Sequence, residues 1–192
     1  MPAPIEIRSF DMAPLEEEST VVEGYATTFD RSYELWPGMN ECIRSSALDG
    51  ADMTDVLFLL NHEGMPLARQ RNGTLSIERD AHGLKATADL SGCQDGRDVL
   101  EAIRNGLIDR MSWAFTVAED GWEYDKETRT AYINKIDRVY DVSAVSRPAN
   151  EGTEIHARSY LDALEEQAEE KAPEGLEERA RLAALISMAK GV

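Results

Sequence analysis

Cysteines, basic residues and long apolar runs are all scarce in this chain, and each scarcity excludes a class of protein. Cys42 and Cys93 stand apart, without Cys-x-x-Cys or Cys/His spacing. We therefore expect two reduced thiols, no disulfide framework and no zinc site. No run of about 20 apolar residues is present, which excludes a membrane-spanning helix. The N-terminal MPAPIEIRSF has neither the basic region nor the apolar core of a signal peptide, so none is expected.

Basic residues are too few to balance the acidic ones. The chain has 20 Lys and Arg against 37 Asp and Glu, a net charge of −17. Proteins bind phosphate backbones non-specifically through Lys and Arg, which release the counterions of the nucleic acid. An anionic membrane surface repels a chain of this charge for the same reason. We therefore expect neither nucleic acid nor membrane as a partner.

Composition divides the 192 residues into two regions. Residues 1–156 are strand-rich, and the hydrophobic content of 42% is enough for a real core. Residues 157–192 are rich in Ala, Glu, Leu and Arg, and Pro173 interrupts their helical pattern. We predict one domain over 1–156 and a helical, acidic C-terminal extension over 157–192. The extension either packs on the domain as a pair of helices or is partly detached, binding a partner or being removed.

Alternating and β-branched patterns predict that the domain is mainly β, with helices. The predicted strands are residues 20–29, 55–60, the hairpin GTLSIERDAHGLKATADL, MSWAFTV, and one long or two short strands in TAYINKIDRVYDVSAVS. LWPGMNECIRSSALDG is expected to begin with a Pro-Gly turn and to continue with a short helical pattern through Ile43 and Leu48. DGRDVLEAIRNGLI is expected to form a helix with Asp95 as N-cap and Gly106 just past its end.

Ser112 lies in the predicted strand RMSWAFTV. Alternation puts Ser112 on a small, polar face, opposite a bulky apolar face. The bulky face consists of Met111, Trp113, Phe115 and Val117. A small face lets a substrate approach the hydroxyl. The alternative is that Ser112 is only a small strand residue beside another segment.

His62 follows the apolar residues 56–60 in LFLLNHE. A histidine at a strand end can reach a pocket while its ring stays partly shielded, and there it could act as a general base for a serine. The alternative is a structural, hydrogen-bonded histidine. His82 lies in a predicted exposed turn and His156 at the edge of the extension, so His62 is the favoured candidate.

Asp141 is the candidate acid, in RVYDVSAVSRPAN. Alternation puts Asp141 and Ser143 on one face, and the residues of the other face, expected in the core, are Tyr140, Val142 and Ala144. An aspartate in so apolar a segment is costly unless it is paired.

The partner of Asp141 could be His62, whose imidazole it would orient, or an arginine in a salt bridge, Arg138 or Arg147. Glu63 is a rival acid, but neighbouring strand residues point to opposite faces, which counts against it.

These segments together resemble the prohead (capsid maturation) proteases of tailed bacteriophages, of the HK97 type. The matching pieces are GYATTFD, WPGMNECIRSSAL, LFLLNHE with LAR close behind, GTLSIERDAHGLKATADL, IRNGLIDRMSWAF and VYDVSAVSRPAN. They occur in the family's order over roughly residues 20–155. The extension lies outside the resemblance in detail.

The resemblance implies a fold similar to that of the herpesvirus assemblins, a β-barrel surrounded by helices. By position it implies His62 as the base, Ser112 as the nucleophile and Asp141 as the acid. Arg147 corresponds to an arginine-bearing loop that stabilises the oxyanion, with its backbone N–H as the donor. Assemblins have a second histidine in place of the acid, and Glu is frequent where this chain has Asp141. No metal or cofactor is implied.

The function implied is a serine endopeptidase that cleaves scaffolding segments of the phage procapsid, and itself, during capsid maturation. It would act inside the procapsid, in the cytoplasm of the bacterial host. The implied partners are the major capsid protein or its scaffolding segment, the portal, and a second copy of the chain. The alternative is a catalytically silent scaffolding protein of the same fold. A general serine hydrolase is disfavoured, because no G-x-S-x-G motif surrounds Ser112.

Overall fold

A computed structural model describes residues 5–14, 19–36 and 38–146 of the chain. The chain divides into two units, residues 1–153 and 154–192, and every described residue belongs to the first. The predicted helical extension and the predicted boundary at 156/157 lie outside the described residues and stay predictions.

The described residues contain twelve strands, one α-helix and two 3₁₀ helices. The strands are β1 (Ile5–Pro14), β2 (Val21–Thr28), β3 (Ser32–Trp36), β4 (Met39–Ile43), β5 (Leu57–Leu60), β6 (Glu63–Arg69), β7 (Leu75–Arg79), β8 (Gly83–Asp89), β9 (Arg110–Val117), β10 (Trp122–Asp125), β11 (Thr130–Ile133) and β12 (Ile136–Val145). The helices are α1 (Gln94–Arg104) and the 3₁₀ helices Ser45–Leu48 and Gln70–Asn72.

Eight strands form one sheet in the order β6-β5-β12-β9-β1-β2-β8-β7. Its two edge strands, β6 and β7, are consecutive in sequence and are joined through the 3₁₀ helix Gln70–Asn72. The Arg69 N–H at the end of β6 donates to Thr74 Oγ1 just before β7, at 2.9 Å. The sheet is therefore a nearly closed barrel, and the prediction of a mainly β fold is confirmed.

A ring of helices around this barrel is not found in the described residues. That part of the chain contains one α-helix, α1, whose buried face carries Val99, Leu100 and Ile103. The second layer is a four-stranded sheet in the order β10-β11-β4-β3. The expectation of a barrel surrounded by helices is thus supported only in its β part.

The strands β9 and β12 lie side by side in the middle of the barrel sheet, because both of their faces can be buried. Trp113 and Phe115 are fully buried, and their rings stack with centroids 4.2 Å apart. They share the bulky face predicted for this strand, while Ser112 on the small face is also fully buried. The neighbour on the other side of β9 is β1, which continues past β9 to pair with β2.

Several local predictions differ from the structure in detail. The N-cap of α1 is Cys93, whose sulfur accepts a hydrogen bond from the Gly96 N–H at 3.3 Å, and Asp95 lies in the first turn instead. Gly106 does follow the helix end with a positive φ of 68°. The predicted helical pattern around Ile43 is strand β4 followed by a 3₁₀ helix. The strand predicted over residues 55–60 begins at Leu57.

Candidate active site

Ser112 lies on β9, between strands β1 and β12, and a serine of each of these strands is paired directly opposite it. It pairs with Ser9 of β1 on one side and with Ser143 of β12 on the other. Directly opposite residues of neighbouring strands lie on the same face of a sheet. Ser112 and Ser143 therefore face the same side, and both are fully buried.

His62 lies in the tight turn of the β5–β6 hairpin. Leu60 pairs with Glu63, which leaves Asn61 and His62 as a two-residue loop. Both have positive φ, 52° and 62°, as a type I′ hairpin turn requires. Strand β5 is parallel to β12, so this turn lies beside the end of β12 and the imidazole can fold over that strand.

Asp141 lies on β12 just after a bulge. The pairing with β9 shifts between Val139 and Asp141, so Tyr140 is the extra residue. Tyr140 is consequently half-buried beneath the Arg138 guanidinium, 5.1 Å from its ring centroid, instead of facing the core as predicted. After the bulge, Asp141 and Ser143 lie on one face, as alternation predicted, and the register with β9 makes it the face of Ser112.

The structure brings the side chains of Ser112, His62 and Asp141 into one line of hydrogen bonds. His62 Nε2 lies 2.8 Å from Ser112 Oγ, and His62 Nδ1 lies 2.7 Å from Asp141 Oδ1. An ionised carboxylate only accepts, so Nδ1 carries the proton and Nε2 of the neutral ring accepts from the serine hydroxyl. The imidazole side chain keeps 16% of its surface exposed, which leaves a route from solvent to the ring.

This arrangement is chemically competent for nucleophilic catalysis. A hydroxyl bonded to an unprotonated imidazole nitrogen can lose its proton as it attacks an acyl carbon. A carboxylate on the opposite nitrogen fixes the ring tautomer and stabilises the imidazolium that forms. The serine and the aspartate come from the central strands β9 and β12, and the histidine comes from the β5–β6 turn beside them.

Ser143 is a fourth side chain in this cluster, and sequence reasoning gave it no role. Its hydroxyl donates to Asp141 Oδ1 at 2.6 Å and lies 3.3 Å from His62 Nδ1. The same carboxylate oxygen thus accepts from His62 and from Ser143. Alternation had placed Ser143 beside Asp141, and that shared face was the signal available.

The rival residues lie elsewhere or outside the described residues. Glu63 begins β6 and is exposed, and His82 is exposed in the β7–β8 turn with its ring 4.4 Å from that of Tyr25. Arg138 pairs with Asp52 at 3.6 Å instead of with Asp141. The expected oxyanion residue, Arg147, and the third histidine, His156, fall outside the described residues.

The cysteines do not resemble a second nucleophile. Cys42 and Cys93 are both free, Cys42 being buried and Cys93 half-buried. Burial raises the pKa of the Cys42 thiol, which disfavours the reactive thiolate.

Within residues 5–14, 19–36 and 38–146, no group of three or more His, Cys, Asp or Glu side chains is arranged to hold a metal ion. The helices of that same part include none long and apolar enough to cross a membrane.

Residues 4–167 match the model of a protein family described as the caudovirus prohead serine protease. The matched range includes Ser112, His62, Asp141 and Arg147. The chain is also similar in structure to the capsid assembly protease of bacteriophage T4. That similarity covers 76% of this chain and 98% of the T4 chain, with 11% sequence identity and a TM-score of 0.44. No curated protein matches the chain in sequence.

Proposed function

The chain belongs to the caudovirus prohead serine protease family, and from this premise we propose that it is a Ser-His-Asp endopeptidase of capsid maturation. One observation carries the proposal. Three residues that lie 50 and 79 positions apart in sequence form a continuous hydrogen-bonded line, with both bonds at or below 2.8 Å. A serine kept only for its small size would not need an imidazole nitrogen on its hydroxyl.

In the proposed reaction Ser112 Oγ attacks the carbonyl carbon of a peptide bond while His62 Nε2 takes the hydroxyl proton. Asp141 holds the Nδ1–H of His62 and stabilises the imidazolium. His62 then gives the proton to the departing amine, which leaves an acyl group on Ser112. In the second half, His62 takes a proton from water, the resulting hydroxide attacks the ester, and Ser112 recovers its proton from His62.

The oxyanion formed in each half needs a donor. The family resemblance assigns this role to the backbone N–H of Arg147, with the side chain assisting through water. Strand β12 ends at Val145 and Ser146 follows it, so the chain leads directly from Asp141 to this residue. One short segment would thus supply both the acid and the oxyanion donor.

We propose that the substrates are scaffolding segments of the immature shell and the protease itself, cleaved inside the procapsid in the host cytoplasm. The description of the family as prohead proteases supports this setting. The partners are then the major capsid protein or its scaffolding segment. The portal and a second copy of the chain are further candidates.

The decisive experiment co-expresses the chain with the major capsid protein of the same phage and follows the intact mass of both over time. Ser112→Ala should lower cleavage by about 10⁶-fold, as removing the nucleophile of a comparable triad does. Ser76→Ala, an exposed serine on β7, is the matched control and should cleave like the wild type. Equal cleavage by wild type and Ser112→Ala would refute the assignment. Whole chains in every sample, with assembled shells present, would favour the silent scaffolding alternative.

A further inference from the structure

Asn61 shares the tight turn with His62 and adopts a conformation that most residues avoid. Its φ is 52°, in the left-handed region. A β-carbon makes this region unfavourable, and asparagine is among the residues that tolerate it best. The first requirement on this position is therefore conformational, and glycine or aspartate could also meet it.

Asn61 also joins the turn to strand β12. Its backbone N–H donates to the Ala144 carbonyl at 2.9 Å. Its side-chain Oδ1 accepts from the Ser146 N–H at 3.1 Å and from the Ser146 hydroxyl at 3.3 Å. Three hydrogen bonds of one residue thus attach the hairpin tip to the end of β12 and to Ser146 just after it.

The other side of the hairpin gives the tip little support. The pairing between β5 and β6 shifts between Phe58 and Leu60, where β6 uses more residues than β5 to cover the interval. In that interval Gly64, Met65 and Pro66 are exposed. An irregular, exposed edge resists pivoting of the tip less than a regular ladder would. The attachment to β12 is therefore the firmer of the two.

We propose that Asn61 is a positioning residue, whose side-chain bond to Ser146 holds His62 in register with Ser112 and Asp141 together. His62 must meet groups on two different strands while its own backbone belongs to a third element. A small pivot at the tip would break one bond or the other. The inference rests on the proposed function, because it presumes that His62 acts as the base.

Three variants of the full-length chain separate the turn from the attachment. Asn61→Gly keeps the positive φ but removes the acceptor, and Asn61→Asp keeps both. Ser146→Ala is the matched control, because it removes only the hydroxyl donor and leaves the stronger N–H bond. Asn61→Gly should unfold near the wild-type midpoint, with kcat lowered by about 10- to 100-fold and KM little changed, as expected for misplacement of a catalytic group. Asn61→Asp should recover most of this loss, and Ser146→Ala should lose little.

The substrate for these measurements is a fluorogenic peptide copied from the cleavage site mapped by intact mass. A second readout, ¹⁵N NMR of the His62 ring, does not depend on activity. Wild type and Asn61→Asp should show the Nδ1–H tautomer alone, and Asn61→Gly a mixture of tautomers. Wild-type kcat and tautomer in Asn61→Gly would overturn the inference, as would equal losses in Asn61→Gly and Asn61→Asp. The two proposals can also fail separately. If the wild type shows no Ser112-dependent cleavage but Asn61→Gly still changes the His62 tautomer, the positioning role is supported and the proposed function is refuted.

Discussion

Ser143 hydrogen-bonds a carboxylate that has almost no access to water. Asp141 is buried, and the Ser143 hydroxyl is fully buried beside it. Removing the hydroxyl leaves a buried anion with one donor fewer, which costs about 1–3 kcal/mol of unfolding free energy. We expect Ser143→Ala to show this loss in urea denaturation, together with a fall in kcat, because the carboxylate can then turn away from His62.

Ser112→Ala is the matched control for this prediction. It is the same substitution at the position directly opposite on the neighbouring strand. The bond it removes is to the uncharged imidazole of His62 and not to a carboxylate, and hydrogen bonds to charged groups are the stronger ones, so its unfolding free energy should fall less. Equal losses of unfolding free energy in the two variants would show that the bond from Ser143 to the carboxylate stabilises the fold no more than the bond from Ser112 to His62 does.

The residues of the site were predictable to different degrees. Alternation along β9 and β12 was enough to put Ser112 and Asp141 on small or polar faces, since that pattern is local. Alternation also put Ser143 beside Asp141. The approach of Ser143 to the His62 ring and the hydrogen bonds of Asn61, however, depend on which distant strands become neighbours and in what register. No local pattern contains that information, so these two residues received no role.

At the scale of elements, the open end of the β5–β6 hairpin is closed by an ion pair. Asp55 precedes β5, and Arg69 ends β6 opposite Leu57. Arg69 Nε donates to Asp55 Oδ1 at 2.8 Å, and its Nη2 bonds the other oxygen. The hairpin that carries His62 is therefore fastened at both ends, by this pair and by the turn.

This pair predicts an acid-sensitive contribution to stability. The bond from Arg69 holds the pKa of Asp55 below its ordinary value. The contribution is thus fully present above the unfolded pKa of about 3.9, and it is lost as pH falls through the lower folded pKa. Asp55→Asn should lower the thermal midpoint at neutral pH, and its difference from wild type should shrink in acid.

Asp49→Asn, which breaks a more exposed pair with Arg79, is the control and should change little. A difference that stays constant with pH would contradict the assignment.

Strand predictions held best where pairing is local. The hairpin of β7 and β8 follows from alternation on both sides of a short turn, and its register agrees with that pattern. Strand β1 was not predicted, although it connects two parts of the barrel by pairing with both β9 and β2. Its longer pairing is with β9, which begins only at Arg110, and nothing near Ile5 signals that distant partner. Strand β4 was taken for part of a helical pattern through Ile43 and Leu48, but only Leu48 is helical, in the 3₁₀ helix that follows the strand.

For the whole molecule, the net charge of −17 is a property of all 192 residues. Such a charge disfavours binding to polyanions. Cleavage would then depend on specific contact with capsid or scaffolding segments instead of general electrostatic attraction.

The twelve strands and the proposed triad all lie within residues 5–146. A fragment of residues 1–156 should therefore unfold in one cooperative transition and cleave the fluorogenic peptide with a kcat similar to that of the full chain. The family match extends to residue 167, so a second fragment ending there separates damage to the family region from loss of the remaining extension.

Ser112→Ala in each fragment is the control for contaminating protease. If both fragments fold but neither cleaves, the extension contributes directly to the site, because every described catalytic group is present in them. If only the longer one cleaves, the domain ends between residues 156 and 167, and the predicted boundary is wrong.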